Sequence, residues 1–370
     1  MPADEFIREA ERVLPICAAC MYCDALCPVF PAIAAKHSFA ANELTYLANL
    51  CHNCRSCWYA CQYAPPHPFA VNLPRTFAEL RQQSYADYAW PRWARGGFRR
   101  NALFVTAFVG CITALAALLL VPSHAFFTAH RGAGAFYLLA PLPIMAGAAA
   151  VALIWAVLAI GVSAATFWRA IAPGAPARTI LQALYPALLD IVTLRNLGGG
   201  GPGCNDRDEK FSQQRRYFHH VMAAGFGACF GSTLIAALYH HLFALLAPYP
   251  MTSLPVLLGS AGGLMMLTGV AGLLLLERSA DRALGAAAEI RLNVVLLALL
   301  AAVAGSGLAL LALRNTAAMG LLLTLHFGVV TGFFAALPVS KAVHAPYRSL
   351  ALLRAAIERA APRPRRGGAD

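Results

Sequence analysis

Charge is what this chain has least of. Only 12% of its 370 residues are Asp, Glu, Lys or Arg, while 59% are hydrophobic; soluble domains usually carry about 25% charge. Acids are scarcest, 17 against 29 basic residues, and residues 217–276 contain no charged side chain at all. That shortage excludes the two or three soluble domains that length alone would suggest. Residues 1–100 also lack the alternating pattern of a β-strand, so a compact β-type ferredoxin is excluded there. No flavin or dinucleotide fingerprint and no Gly-Lys-Ser/Thr phosphate loop occurs. Nothing at the N-terminus looks like an export signal, so the expectation is a reducing compartment rather than a disulfide-forming one.

Cysteine, by contrast, is abundant and patterned. Cys17, Cys20, Cys23 and Cys27 read C-x2-C-x2-C-x3-C followed by Pro28, and Cys51, Cys54, Cys57 and Cys61 repeat the spacing. A [4Fe–4S] cluster takes three thiolates from one tight loop and a fourth from elsewhere, and in two-cluster ferredoxins the fourth crosses to the other cluster. The expected sets are therefore Cys17, Cys20, Cys23 and Cys61, and Cys51, Cys54, Cys57 and Cys27. Zinc prefers separated C-x2-C pairs without a third cysteine two residues on. The second run is followed by Gln62 rather than Pro, which affects the turn and not the ligands. Residues 3–14 and 38–50 have helical spacing, the latter with Ser38 as a candidate N-cap. The head thus reads as an α-helical two-cluster ferredoxin over residues 1–73. Residues 74–101 interleave Tyr85, Tyr88, Trp90 and Trp93 with Arg92, Arg95, Arg99 and Arg100. Next to an apolar span they read as an interfacial linker against anionic lipid, not as a nucleic-acid surface.

Six stretches are long enough to cross roughly 30 Å of hydrocarbon: about 102–121, 143–165, 220–245, 254–276, 292–313 and 319–338. The fold class is therefore mainly α, an N-terminal ferredoxin-like domain followed by a six-helix transmembrane bundle over 102–345. A basic tail is expected at 346–370. Basic residues mark the inner side. Arg169, Arg178, Arg195, Arg207, Lys210, Arg215 and Arg216, then Arg278, Arg282 and Arg291, then Lys341 to Arg366 share the head's side, while Arg131 and Arg314 fall opposite. The expected place is a bacterial inner membrane with both termini cytoplasmic.

A six-coordinate b haem needs two histidines at one depth on different helices. His219 and His220 sit at the inner end of the third span, His240 and His241 near its outer end. On the sixth span His326 lies towards the outer side and His344 just past the inner end. Outer His240 or His241 is expected to meet His326, and inner His219 or His220 to meet His344. The 18 residues from His326 to His344 place the two levels about 27 Å apart at 1.5 Å per residue. The expectation is one or two haems b. His124 and His130 read as surface residues, and Cys111 and Cys229 as packing residues within spans. The glycine-rich stretch inside 190–218 reads either as a linker or as a loop packing on the head or lining a quinone site, with Cys204 a spare thiol.

With these cysteine runs, the Leu-Arg195-Asn-Leu-Gly-Gly-Gly-Gly-Pro-Gly-Cys204-Asn loop and Tyr217-Phe-His219-His220, nearly the whole chain resembles the tricarballylate/citrate-utilisation protein B family. That family also forms the C-terminal half of a fused cobalamin-pathway flavoprotein. The resemblance implies a membrane iron–sulfur and b-haem protein that reoxidises a soluble FAD-dependent dehydrogenase acting on tricarballylate or a related tricarboxylate. Electrons would pass on to quinone. The FAD belongs to the partner, and no residue here looks like a catalytic acid, base or nucleophile. Two alternatives stand beside this reading: the electron-transfer subunit of another respiratory dehydrogenase or heterodisulfide-reductase-like complex, and a membrane Fe–S redox sensor.

Overall fold

A computed structural model describes residues 3–24, 26–36, 38–120, 126–198 and 202–361. Its described residues are helical and carry no strand, only one antiparallel bridge between Cys204 and Ser212. The head contains α1 (Ala3–Cys20), α2 (Val29–Ala34), α3 (Ala41–Leu50), α4 (Ser56–Tyr59) and α5 (Leu73–Asp87). α5 starts where its sequence says it should. Asn72 Oδ1 accepts from the Arg75 amide at 3.2 Å, and Pro74 occupies the first turn, where a missing N–H costs nothing.

After α6 (Arg95–Arg99) come α7 (Asn101–Leu120), the short α8 (Ala135–Leu139), α9 (Leu142–Ile171), α10 (Ala177–Val192), α11 (Gln214–Phe243), α12 (Leu254–Ser279), α13 (Ala287–Leu313), α14 (Met319–Ala336) and α15 (His344–Ala360). Among the described residues, α9, α11, α12, α13 and the Met319–Val339 stretch are long and apolar enough to cross a membrane. The first span expected from the sequence coincides with α7, 20 residues packed against α14, and its last residue, 121, lies outside the described residues. Small residues let the helices close up, as in other membrane bundles. A Cβ on Gly225 of α11 would stand 2.5 Å from the Met266 amide nitrogen of α12, so the two backbones touch there.

Two ends are distinct. At one, Gly134 N donates to Ala247 O (2.8 Å), Arg131 to Asn315 O (3.2 Å) and Arg314 to Tyr249 O (2.7 Å). At the other, the head, the α12–α13 turn and α15 share one core. Leu14, Ile33, Leu47 and Phe77 of the head are buried with Phe167 of α9, Leu292 of α13 and Tyr347 of α15. Phe167 and Tyr347 stack at 4.5 Å. Arg81 of α5, 1% exposed, forks onto Glu289 of α13 at 3.0 and 2.9 Å, and Lys341 meets the same carboxylate. A carboxylate buried at this depth requires such partners.

Three expectations change. The stretch from 346, read as a basic tail to 370, is helical to Ala360 and part of the core, its residues 362–370 lying outside the described residues. One Arg354 nitrogen donates to both Glu43 carboxylate oxygens at 2.6 and 2.7 Å, and the guanidinium lies 3.9 Å over the Tyr46 ring. The stretch from 74, read as a linker, belongs to α5 through Asp87. Tyr85 is wholly buried and Tyr88 packs on Phe167, leaving only Trp90 and Trp93 as exposed anchor rings. Finally, the basic stretch between the second and third expected spans, read as loop, contains α10. Its Leu181, Leu184, Tyr185, Leu188, Leu189 and Val192 form an exposed apolar row, while Ala183 and Ala187 are buried against α15. The sequence shows that 3.6-residue period, but the segment lies among the basic residues between two spans and reads with them as loop.

Candidate functional site

The two cysteine runs turn in the same way. Met21 follows Cys20 and Arg55 follows Cys54, and both have left-handed backbone, φ 49° and 64°. For residues with a side chain this conformation costs about 1–2 kcal/mol, a strain that curls each run so its thiols face inward. Cys17 and Cys20 also share a face of α1 through their three-residue spacing.

The curl produces two cavities. One is lined by Cys17, Cys20, Cys23, Cys57 and Cys61. The other is lined by Cys27, Cys51, Cys54 and Cys57. None of these cysteines is in a disulfide. Among the described residues no three His, Cys, Asp or Glu side chains converge tightly enough to chelate a single metal ion. Burial pushes the Cys17 thiol up to about 12 and Cys23 to about 11, with neighbouring thiolates adding to it, and holds Cys27 and Cys57 well above their usual range. Without a cationic partner these thiols stay neutral; as ligands they must be deprotonated.

The second cavity is clamped from the membrane half. Asn205 N donates to Cys54 O (2.9 Å), Arg55 to Asp206 O (3.1 Å) and Arg215 to Asn53 O (2.8 Å), with Arg215 also 2.7 Å from the Asp206 carboxylate. The glycine-rich loop is therefore a docking strap. Gly203, at φ 135°, allows it, since a Cβ there would lie 2.6 Å from Ser212 O. Cys204 is buried, its thiol donating to Leu197 O at 2.9 Å. Residues 199–201 lie outside the described residues. Two further arginines grip Cys51, whose carbonyl accepts from Arg81 (2.8 Å) and Arg348 (2.9 Å).

A larger cavity, about 1020 Å³ with its open mouth, lies between the head and the inner ends of α11–α13. His52, His219 and His344 line it, with Arg55, Arg215 and Arg348. The His219 and His344 rings stand 6.3 Å apart, nearly perpendicular at 81°. His344 Nδ1 lies 2.6 Å from Lys341 O, which fixes that nitrogen as the N–H and leaves Nε2 as the lone-pair face, the arrangement typical of a metal-bound imidazole. Burial, then Arg348, holds His344 well below the usual histidine range, so it is neutral. His219 Nδ1 is buried without a partner. His220 is turned away, its two nitrogens 3.1 and 3.2 Å from the carbonyls of Arg216 and Val192. His52 lines both this cavity and the second cysteine cavity; sequence reasoning passed over it because it sits alone inside a cysteine run.

The outer histidines are not brought together. His326 Nδ1 is 2.9 Å from Ser306 Oγ of α13, while His240 packs on Tyr137 (5.7 Å) and His241 (5.1 Å). The reason is register. α11 and α14 run antiparallel and touch through Phe226 and Phe333 at 5.8 Å. From that contact His240 is fourteen residues outward and His326 only seven, a mismatch of about 10 Å at 1.5 Å per residue. His130 is half-buried in the outer loop and His124 lies outside the described residues. Cys229 faces α12 through a long contact to Gly259 O (3.9 Å), and Cys111 is exposed.

Two family models match the chain, the citrate utilization protein B Fer4-like domain over residues 10–87 and citrate utilization protein B over residues 95–365. The chain belongs to the citrate utilization protein B family. An Escherichia coli relative, citrate utilization protein B, is 39% identical over 357 residues, covering 95% of this chain and 92% of the relative. No solved structure matches. The boundary between the two family matches falls just after α5, so the Fer4-like unit includes the helix that carries Arg81.

Proposed function

We propose that the chain is an electron-transfer protein of the bacterial inner membrane, its head, strap and C-terminal helix on the cytoplasmic side. It takes electrons from a reduced FAD-dependent partner dehydrogenase that oxidises a tricarboxylate, tricarballylate or citrate-like, and delivers them to membrane quinone. Two [4Fe–4S] clusters would be held by Cys17, Cys20, Cys23 and Cys61 and by Cys51, Cys54, Cys57 and Cys27. A multi-iron cluster holds its thiolates farther apart than a single ion does, which suits the two cysteine-lined cavities. A haem b would be held by His219 and His344. These groups supply one-electron chemistry; the protein sets their potentials through burial, charge and hydrogen bonding.

The observation that carries this reading is the His219–His344 pair. The two rings, which would hold the haem, stand 6.3 Å apart, with the lone-pair face of His344 left free by its Nδ1 contact to Lys341 O and His219 Nδ1 buried without a partner. His52 stands between that pair and the second cysteine cavity. The orientation is supported by the basic segments, which gather at the head's end. The test is an anaerobic preparation with iron, sulfide and haem counted per chain and its visible and paramagnetic resonance spectra recorded. The expected result is about eight irons for two cubanes and a Soret band that shifts when partner and substrate are added. A haem left oxidised by partner and substrate overturns the route, and absence of a Soret band overturns the haem.

A further inference from the structure

A separate cavity lies beside the histidine-lined one, between the inner ends of α12 and α13. It holds about 510 Å³ with its mouth and is lined by Arg55, Leu274, Glu277, Arg278, Arg282 and Val294. Arg55, Glu277 and Ile290 form a wall common to both cavities. Arg55 is 3% exposed, yet its Nε is buried with no hydrogen-bond partner. Glu277 accepts from Asn293 at 3.2 Å. The apolar part of the lining includes Leu274 and Val294, and Val294 is 41% exposed.

We infer that this cavity is the quinone site. The inference rests on the electron-transfer reading above and gives its acceptor a place. A quinone has a flat head with carbonyl oxygens that only accept hydrogen bonds, and an isoprenoid tail that belongs in lipid. Arg55, which lines the cavity, supplies the donor, and Leu274 and Val294 give the tail an exit into the bilayer. Reduction adds two electrons and two protons, turning each carbonyl into a hydroxyl. The electrons come from the redox groups of the chain, which the partner refills. Glu277 is placed to pass one proton to a quinone oxygen and to regain it from the cytoplasmic surface, and the other oxygen takes its proton from water at the cavity mouth beside Arg278 and Arg282. An anionic phospholipid headgroup would also meet arginines here, but Glu277 and Asp281 line the same cavity and oppose a phosphate.

The test uses the full chain in nanodiscs and an azido-benzoquinone with a short isoprenoid tail. Photolabelling is expected on peptides from α12 and α13 between residues 270 and 294 and is competed by unlabelled short-chain quinone. Val294→Trp, and separately Leu274→Trp, fill the cavity from its lipid side and are expected to cut labelling at least about tenfold, 1.4 kcal/mol of binding. Glu277→Gln is expected to label like the parent while reoxidation of the dithionite-reduced chain by the same quinone slows about a hundredfold, the scale of a lost proton donor. Undiminished labelling of both tryptophan variants, labelling elsewhere, or competition by phosphatidylglycerol in place of quinone overturns the site. A preparation with no Soret band overturns the haem alone, and the labelling still decides the cavity.

Discussion

The bundle treats its two ends differently. At the head's end the elements are held by side chains that occupy fixed places: Arg81 and Lys341 on Glu289, Arg354 on Glu43, Arg215 on Asp206. The histidines of α11 and α14–α15 meet there across 6.3 Å. At the far end Arg131 and Arg314 reach backbone carbonyls, His326 meets Ser306 instead of a second histidine, and the histidines miss each other by two helical turns. Equal depth in the sequence is therefore insufficient for a paired site. The helices must also touch in the right register, and buried charge is what holds register at one end only.

If that contrast is correct, His344→Ala and His219→Ala each abolish the low-spin haem signal, while His326→Ala leaves haem content close to the parent. Haem lost equally from His326→Ala and His344→Ala would remove the distinction between the ends. Stability should show the same asymmetry. Glu289→Ala strands Arg81 and Lys341 in the core and should cost about 3–5 kcal/mol; Arg314→Ala, which removes one hydrogen bond, should cost about 1 kcal/mol. Denaturant titration in detergent compares the two. Next is the strap. Asp206→Ala removes the Arg215 partner beside the second cysteine run and should cost about 1–3 kcal/mol locally, read as faster amide exchange over 51–61 with 17–23 unchanged.

The smallest effect concerns acid. Burial works to raise the Glu43 carboxyl, but Arg354 and Lys36 outweigh it and hold it below its ordinary value. A carboxylate with a lowered folded-state value contributes stability above its unfolded value, about 4.5, and loses it as pH falls through the folded one. The contact of α15 with α3 should therefore loosen below about pH 4.5 in the parent, and Glu43→Gln should be weaker at pH 7 but flatter into acid. Equal acid slopes in parent and variant would contradict this.

Much of this was legible in the sequence, for definite reasons. Cysteine spacing is local, so both runs and their helical setting could be read directly, and long apolar runs mark spans because lipid offers no other hydrogen-bond partners. The glycine-rich loop was visible as an oddity, but its docking on Cys54 depends on contacts about 150 residues apart in sequence. The choice of His219 over His220 was equally out of reach, since it turns on which carbonyls α10 and α11 present. Depth arithmetic paired His344 with the His219/His220 doublet and mispaired His326 because it counts rise along a helix and ignores which neighbours stand beside it. α15 and α10 were missed for a simpler reason: basic residues near membrane spans read as tail and loop.

The apolar row on α10 has a mechanical consequence. In the proposed membrane orientation its exposed leucines would lie against the inner leaflet, while its buried alanines hold α15 and α15 holds the head. In that orientation the head would be moored at a height set by lipid as well as by the spans. A thicker or more tightly packed inner leaflet would lift or press on this row, and the strain would arrive at the cysteine runs through α15 and its grip on Cys51.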